Sequence, residues 1–297
     1  MRLKDKVALL IGCSPNIGRS IARIFAKEGA SVVVSDIKDK DGNETVDLIK
    51  KDGGNAVYFH ADVSLSEEIE KVVSFTADTF GKINVFVSLA NAGDSRSVAD
   101  FDRSAAELCY KVNVLALIEG AHHCLKQMTK AGGGSIIAVS SIQGVQGVGA
   151  YPGYAAAKAG ISGAVRTMAV ELWNYKIRIN AIYPCGVGGP EWEVVDQLGW
   201  EYMPEFEARF GADMRHLPLI VAIDPMALGY SALFLASDES NYITGVTLPV
   251  DAGASIIHYG VFRGIPPYDT PERKNERQRE LHNQFKTWLE EKKAEKK

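Results

Sequence analysis

The stretch Gly149 to Gly160, GAYPGYAAAKAG, sets two tyrosines and one lysine among glycines and alanines. A free tyrosine titrates at about 10 and is a poor base near neutrality. A cation held beside its phenol favours the phenolate, and the pair can then pass a proton to or from a bound oxygen. Tyr154 and Lys158 are four residues apart and share one face of a helix. The small residues between them leave room for a bound molecule against that face. Tyr151 precedes Pro152, which disfavours right-handed helical backbone at 151, so Tyr154 is the tyrosine that travels with the lysine.

Short Val- and Ile-rich runs alternate with helix-length segments from the first residues onward. Strands are predicted over 6–12, 31–36, 56–63, 84–90, 135–141, 177–184 and 244–251, and helices over 17–29, 42–52, 66–80, 101–130 and 153–175. The alternation predicts an α/β fold: a doubly wound parallel sheet (Rossmann fold), single domain, of seven strands over residues 1–255. Ligands of such sheets sit at the carboxyl ends of the strands. Residues 188–225 form a long insertion carrying Trp192, Trp200, Tyr202, Met203, Phe206 and Phe210. Residues 256–297 are a charged, partly helical extension in which Leu281, Phe285, Trp288 and Leu289 fall on one stripe. The stripe is expected to dock on the chain's own body, with a partner-subunit contact as the sharper alternative.

Composition narrows the partners. A net charge of −4 argues against a broad nucleic-acid surface. No uninterrupted apolar run reaches the ~18 residues of a membrane span. Cys13, Cys109, Cys124 and Cys185 show neither CxxC spacing nor disulfide density, so reduced thiols and a cytoplasmic location are expected. His60, His122 and His123 have no metal-ligand spacing, and no metal is expected.

After the first strand comes GCSPNIGRS, in which Gly12, Ser14, Asn16, Ile17 and Gly18 would present backbone amides and a helix N-terminus to a pyrophosphate. Asn16 stands where a third glycine would be expected and, being tolerant of the left-handed conformation, is expected to keep the turn. The second strand ends in Asp36, where a carboxylate holds both ribose hydroxyls of NAD and repels a 2′-phosphate. NAD(H) is therefore favoured over NADP(H). Asp62 and Val63 are read as contacts to adenine, and Asn91, Ala92 and Gly93 as a close backbone approach to the adenosine side.

Taken in order, Gly12-x5-Gly18, Asp36, Asp62-Val63, Asn91-Ala92-Gly93, Asn113, Ser141, Tyr154-x3-Lys158, Pro184 and ITGVTLPVDAG (243–253) resemble the short-chain dehydrogenase/reductases, in their compact branch, over residues 4–254. The resemblance implies a catalytic tetrad. Tyr154 is the general acid/base, Lys158 binds the nicotinamide ribose and depresses the tyrosine pKa, Ser141 bonds the substrate oxygen, and Asn113 holds a water of the proton path. It implies cofactor contacts from Pro184, Gly186 and Val187, and a homotetramer or homodimer.

Several positions depart from the family pattern: Ile11, Asn16, Ala90, Cys185 and Gly189. They bear on cofactor affinity and on the anchoring of the nicotinamide, left mainly to the Val187 backbone. Three readings follow. The first is an NAD-dependent alcohol dehydrogenase or ketone reductase acting on an apolar cyclic or bulky substrate under the 188–225 insertion, with Gln143, Tyr151 and Trp192 as substrate contacts and Arg96 as a further polar one. The second is an enoyl reductase working through Tyr151, seven residues before Lys158. The third is a non-catalytic dinucleotide sensor, against which the complete tetrad argues.

Overall fold

Seven short apolar runs become parallel strands: the five inner ones are buried on both faces, the two edge strands only in part, and β-branched side chains suit a pleated, covered surface. The computed structural model describes residues 1–13, 15–147, 150–188, 194, 198, 202–206, 208–209, 223–256 and 271–296, with the backbone alone for 203–204, 271–279, 281–282 and 296. The strands are β1 (Val7–Ile11), β2 (Ser31–Asp36), β3 (Asn55–His60), β4 (Val85–Ser88), β5 (Gly134–Val139), β6 (Ile177–Pro184) and β7 (Thr247–Val250). They form one sheet in the order β3-β2-β1-β4-β5-β6-β7. The order reverses between β1 and β4, and the crevice at such a switch point is where doubly wound sheets bind ligands.

Two compact units make up the chain: Met1–Cys185 with Pro225–Asp251, and Gly186–Asp224 with Ala252–Lys297. The first holds the sheet and α1 (Ile17–Lys27), α2 (Asp39–Lys51), α3 (Ser66–Phe80), α4 (Arg103–Tyr110), α5 (Ala116–Lys130) and α6 (Pro152–Leu172). The second contains α7 (Met203–Phe206) and α9 (Pro271–Lys296); α8 (Pro225–Ala236) returns to the first. The insertion and the tail, two separate departures in the sequence, thus fold into one unit. The tail stripe packs on the chain's own inserted segment, with Phe285, Trp288 and Leu289 buried there. The side chain of Leu281 lies outside the described residues.

Helix α8 has no counterpart among the helices predicted above. Pro225, Leu228, Gly229, Ala232, Leu233, Leu235 and Ala236 are buried, and a helix apolar on nearly all sides shows no amphipathic period. The helix predicted over 101–130 is interrupted: a π-helical turn, Lys111–Leu115, separates α4 from α5. In the core, Gly120 of α5 lies against the ring of Phe86 on β4, and an added Cβ would come 2.2 Å from Phe86 Cζ. Overpacking of this kind costs about 1–3 kcal/mol. Gly120→Ala is expected to lose that much in urea unfolding, and most of the loss is expected to vanish in a Phe86→Leu background. Equal losses in both backgrounds would place the clash elsewhere.

Candidate active site

The nucleotide residues sit where strands end. Gly12 closes β1 at φ +75, and its amide donates to Ser35 O at 2.8 Å. An added Cβ there would lie 2.1 Å from Ala90 Cα, and one at Gly18 would lie 2.7 Å from Cys13 Cα. Only glycine permits both approaches, which close the crevice between β1 and β4. Asn16, the N-cap of α1, does not adopt the expected left-handed conformation: its φ is −114 and its ψ −105. Among the described residues of this turn the positive φ falls on Gly12, so Asn16 only leads the chain into Ile17 and α1. Ser14 lies outside the described residues.

Asp36 ends β2 at 5% exposure, its Oδ1 accepting from the Lys38 amide at 3.0 Å. Its carbonyl accepts from the Tyr58 hydroxyl at 2.6 Å, which also donates to Asp39 Oδ1 at 2.8 Å. Burial, and then Asp39, push the Tyr58 phenol up, so it stays a proton donor. Asp62 follows β3 and accepts from Ser64 N at 2.9 Å, with Val63 buried beside it. Asn91, Ala92 and Gly93 follow β4; the Ala92 carbonyl accepts from Asn113 Nδ2 at 2.9 Å.

Two observations test these residues against a dinucleotide. Asn16 Oδ1 is buried with no hydrogen-bond partner among the described residues, an acceptor awaiting a donor such as a hydroxyl. A Cβ added at Gly93 would meet nothing within 4 Å, so the backbone there faces open space. Both fit a ligand lying along the strand ends. Pro184 ends β6, whereas Gly186 and Val187 belong to the second unit, where Val187 bridges Ile223.

The candidate proton-transfer residues come together from the end of β5, the π turn and α6. Ser141 follows β5; its Oγ accepts from Gln143 N at 3.2 Å and hydrogen-bonds the Tyr154 phenol. Lys158, one turn further along α6, is 2% exposed, and its Nζ donates to Val139 O at 3.1 Å. That ammonium lies 5.5 Å from the centroid of the Tyr154 ring. Burial pushes Lys158 down to about 8. The expectation that Lys158 depresses Tyr154 does not hold in this arrangement. Tyr154 is pushed up, by burial first, with the Ser141 hydrogen bond opposing. The reason is geometric: the ammonium faces the ring, and the hydrogen bond to the phenol comes from Ser141.

Asn113 lies in the π turn, donating to Cys109 O at 2.8 Å, while its Oδ1 is buried and unpartnered among the described residues. Its amide oxygen is therefore available to a water or ligand hydroxyl. Tyr151 stands outside α6 as its N-cap, at φ 66 and ψ 28, its amide donating to Arg96 O at 3.1 Å. The two tyrosine rings meet edge to face, centroids 6.5 Å apart. Gln143 Oε1 is buried without a partner among the described residues. Arg96, read as a polar contact, pairs with Asp102 at 3.0 Å. Trp192 and Gly189 lie outside the described residues.

Sequence reasoning missed three supports. Ser140 Oγ donates to Lys158 O at 2.8 Å, tying β5 to α6. The Cys109 thiol donates to Ala92 O at 3.1 Å and lies close enough to act on the charges of Tyr154 and Lys158. Asp94 is buried, with its Oδ2 set against Gly153 of α6. None has a sequence signal, since each matters only through its neighbours in space. Among the described residues no group of three His, Cys, Asp or Glu could hold a metal ion.

Comparison with known proteins agrees with this geometry. Residues 12–255 match the family model described as enoyl-(acyl carrier protein) reductase, of the short-chain alcohol dehydrogenase type. The chain is 31% identical over 269 residues to zerumbone synthase of Zingiber zerumbet, covering 87% of this chain and 98% of that protein. It is likewise 31% identical to (+)-borneol dehydrogenase 2 of Salvia officinalis, covering 89% and 94%. A solved 7α-hydroxysteroid dehydrogenase complexed with NADH and 7-oxo glycochenodeoxycholic acid superposes with a TM-score of 0.74 at 29% identity, covering 85% of this chain and 95% of that one. The chain belongs to the short-chain dehydrogenase/reductase family. It is an oxidoreductase built to move a hydride between a secondary alcohol or ketone and a nicotinamide dinucleotide.

Lys158 titrates at about 8 in the folded chain, against about 10.4 in an unfolded one. Between those values the unfolded state holds the extra proton, so the stability this group contributes rises with pH across the window. Denaturant unfolding at about pH 7 and about pH 10 is expected to show wild type gaining on Lys158→Met as pH rises. A constant difference would mean that the ammonium is not desolvated.

Proposed function

We propose that the chain interconverts a secondary alcohol and its ketone with NAD(H), used in preference to NADP(H), and that Tyr154 is its acid/base. The observation that carries this reading is the buried Lys158 ammonium 5.5 Å from the centroid of the Tyr154 ring, with Ser141 beside the phenol opposing the effect of burial on it. When bound, the nicotinamide dinucleotide supplies or accepts the hydride. Ser141 donates to the substrate oxygen and Tyr154 gives or takes the proton on that same oxygen. Lys158 holds the ribose with the donors that Val139 leaves. Asn113, through its open amide oxygen, holds the water that restores that proton. Asp36 supports NAD(H), because a fixed carboxylate at that strand end repels a 2′-phosphate.

We read the substrate as a bulky, mainly apolar cyclic molecule with a second polar group. The relatives named for borneol and for a hydroxysteroid support the ring system. The unpartnered Gln143 Oε1, two residues from Ser141, supports a hydrogen-bond donor elsewhere on the substrate. The segment 188–225 selects it, leaving the sheet just after Pro184. Phe101, Leu108, Tyr110 and Ile118 along α4 and α5, and Trp173 and Tyr242 elsewhere, are large apolar residues left exposed, which supports a homotetramer or homodimer. Among the described residues no helix is long and apolar enough to cross a membrane, and the four free cysteines suit a cytoplasmic location.

A second reading, reduction of a carbon–carbon double bond through Tyr151, draws on the description of the matching family model. Tyr151 lies off the helix that carries Lys158, which favours Tyr154. Fluorescence titration with NADH and NADPH, followed by turnover on cyclic secondary alcohols, decides between them. Tyr154→Phe is expected to keep NADH binding and lose about 10²–10⁴-fold in turnover, with Tyr151→Phe retaining most of it. Loss with Tyr151→Phe alone would transfer the acid/base role and the reaction class.

A further inference from the structure

The second unit is held together by a contact that the family match does not include. Phe285, Trp288 and Leu289 of α9 are buried against Val194, Leu198 and Phe206 of the inserted segment. The Phe206 ring lies 5.8 Å from Phe285, nearly perpendicular, and 6.0 Å from Trp288. Trp288 Nε1 donates to Glu205 Oε1 at 3.1 Å, and Lys292 Nζ pairs with the same oxygen at 3.1 Å. These two partners, the indole first, hold the Glu205 carboxyl below its ordinary range. Helix α7, which carries Glu205 and Phe206, has four residues. That is far below the length at which a helix persists alone in water, so its order comes from what it packs on. Among the described residues that partner is α9, which begins beyond residue 255, where the family match ends.

We propose that α9 braces the inserted segment, and that Phe285 and Trp288 are positioning residues for substrate selection. The proposal rests on the reading of 188–225 as the substrate-selecting segment. The stripe holds Val194, Leu198 and Phe206 in place, so substrate affinity depends on residues that lie outside the family-matched region and that play no part in holding the dinucleotide.

Full-length Trp288→Ala and Trp288→Phe test this beside wild type. Three quantities are read: the rate of tryptic cleavage after Arg209, an exposed residue of the segment, the NADH Kd, and KM against kcat for a cyclic alcohol. Trp288→Ala is expected to be cut at least about tenfold faster and to raise KM at least about tenfold, with kcat and NADH Kd within about twofold. Trp288→Phe, which keeps the aromatic contact and loses the indole donor, is expected to fall close to wild type in KM. Unchanged cleavage in Trp288→Ala overturns the brace. Faster cleavage with unchanged KM overturns its role in substrate selection, and a parallel loss of NADH affinity overturns the separation of the two functions. Should wild type bind NADH yet turn over no alcohol, the dehydrogenase reading fails and the cleavage rates still decide the brace.

Discussion

Lys158 brings an ammonium to a position only 2% exposed, with the Val139 carbonyl as its hydrogen-bond acceptor among the described residues. Desolvating such a group costs several kcal/mol unless its surroundings are fixed to receive it. The surroundings are fixed. Ser140 Oγ bonds the Lys158 carbonyl, pinning the end of β5 to the middle of α6. Gly144 carries no side chain where a Cβ would come 2.9 Å from the Lys158 backbone. Tyr154 inherits its position from this arrangement, one helical turn away on the same face, and Ser141 meets its phenol because β5 ends where it does. The placement of one charge therefore sets the geometry of the strand end, the turn and the helix together.

The same economy governs the other side of the sheet. Reversal of strand order between β1 and β4 places a crevice outside their carboxyl ends, where the two strand ends approach closely. Gly12 against Ala90 makes that approach, and a side chain at 12 would prevent it. Asn16 is then relieved of the backbone task that a glycine would perform. Its amide oxygen is buried without a partner among the described residues, an acceptor at the turn where the family pattern has a glycine.

What could be read from the sequence divides along physical lines. Strands buried on both faces announce themselves as Val- and Ile-rich runs, and their order along the chain implies the parallel sheet. Tyr154 and Lys158 are legible because their relation is local, four residues on one helix. Helix α8 is not, since an apolar composition on nearly all sides, exposed face included, erases the period that marks a helix. The π turn that carries Asn113 leaves no compositional trace either. The sense of the Tyr154 shift is not legible in spacing, which puts two side chains on one helix face without saying where the ammonium points. In space the ammonium faces the ring, and burial outweighs it. Ser140 and Cys109 act through tertiary neighbours, which no spacing encodes.

The insertion shows why aromatic content is a poor guide to a binding surface. Trp192, Trp200, Tyr202, Met203, Phe206 and Phe210 suggest an apolar substrate under the insertion without saying which of them serve as packing core. Phe206 is fully buried in the core of the second unit, and Tyr202 packs against the same cluster. A segment inserted in a domain must bury apolar surface of its own to hold any shape, and a four-residue helix cannot do so unaided. The large side chains of the insertion therefore have two tasks, and the stripe on α9 reveals which residues perform the structural one. Its own periodicity was visible as Phe285, Trp288 and Leu289, but its partner was not, because the contact spans a long stretch of chain. The Gln143 oxygen close to Ser141, buried without a partner among the described residues, is an acceptor for a donor such as a water or a ligand hydroxyl.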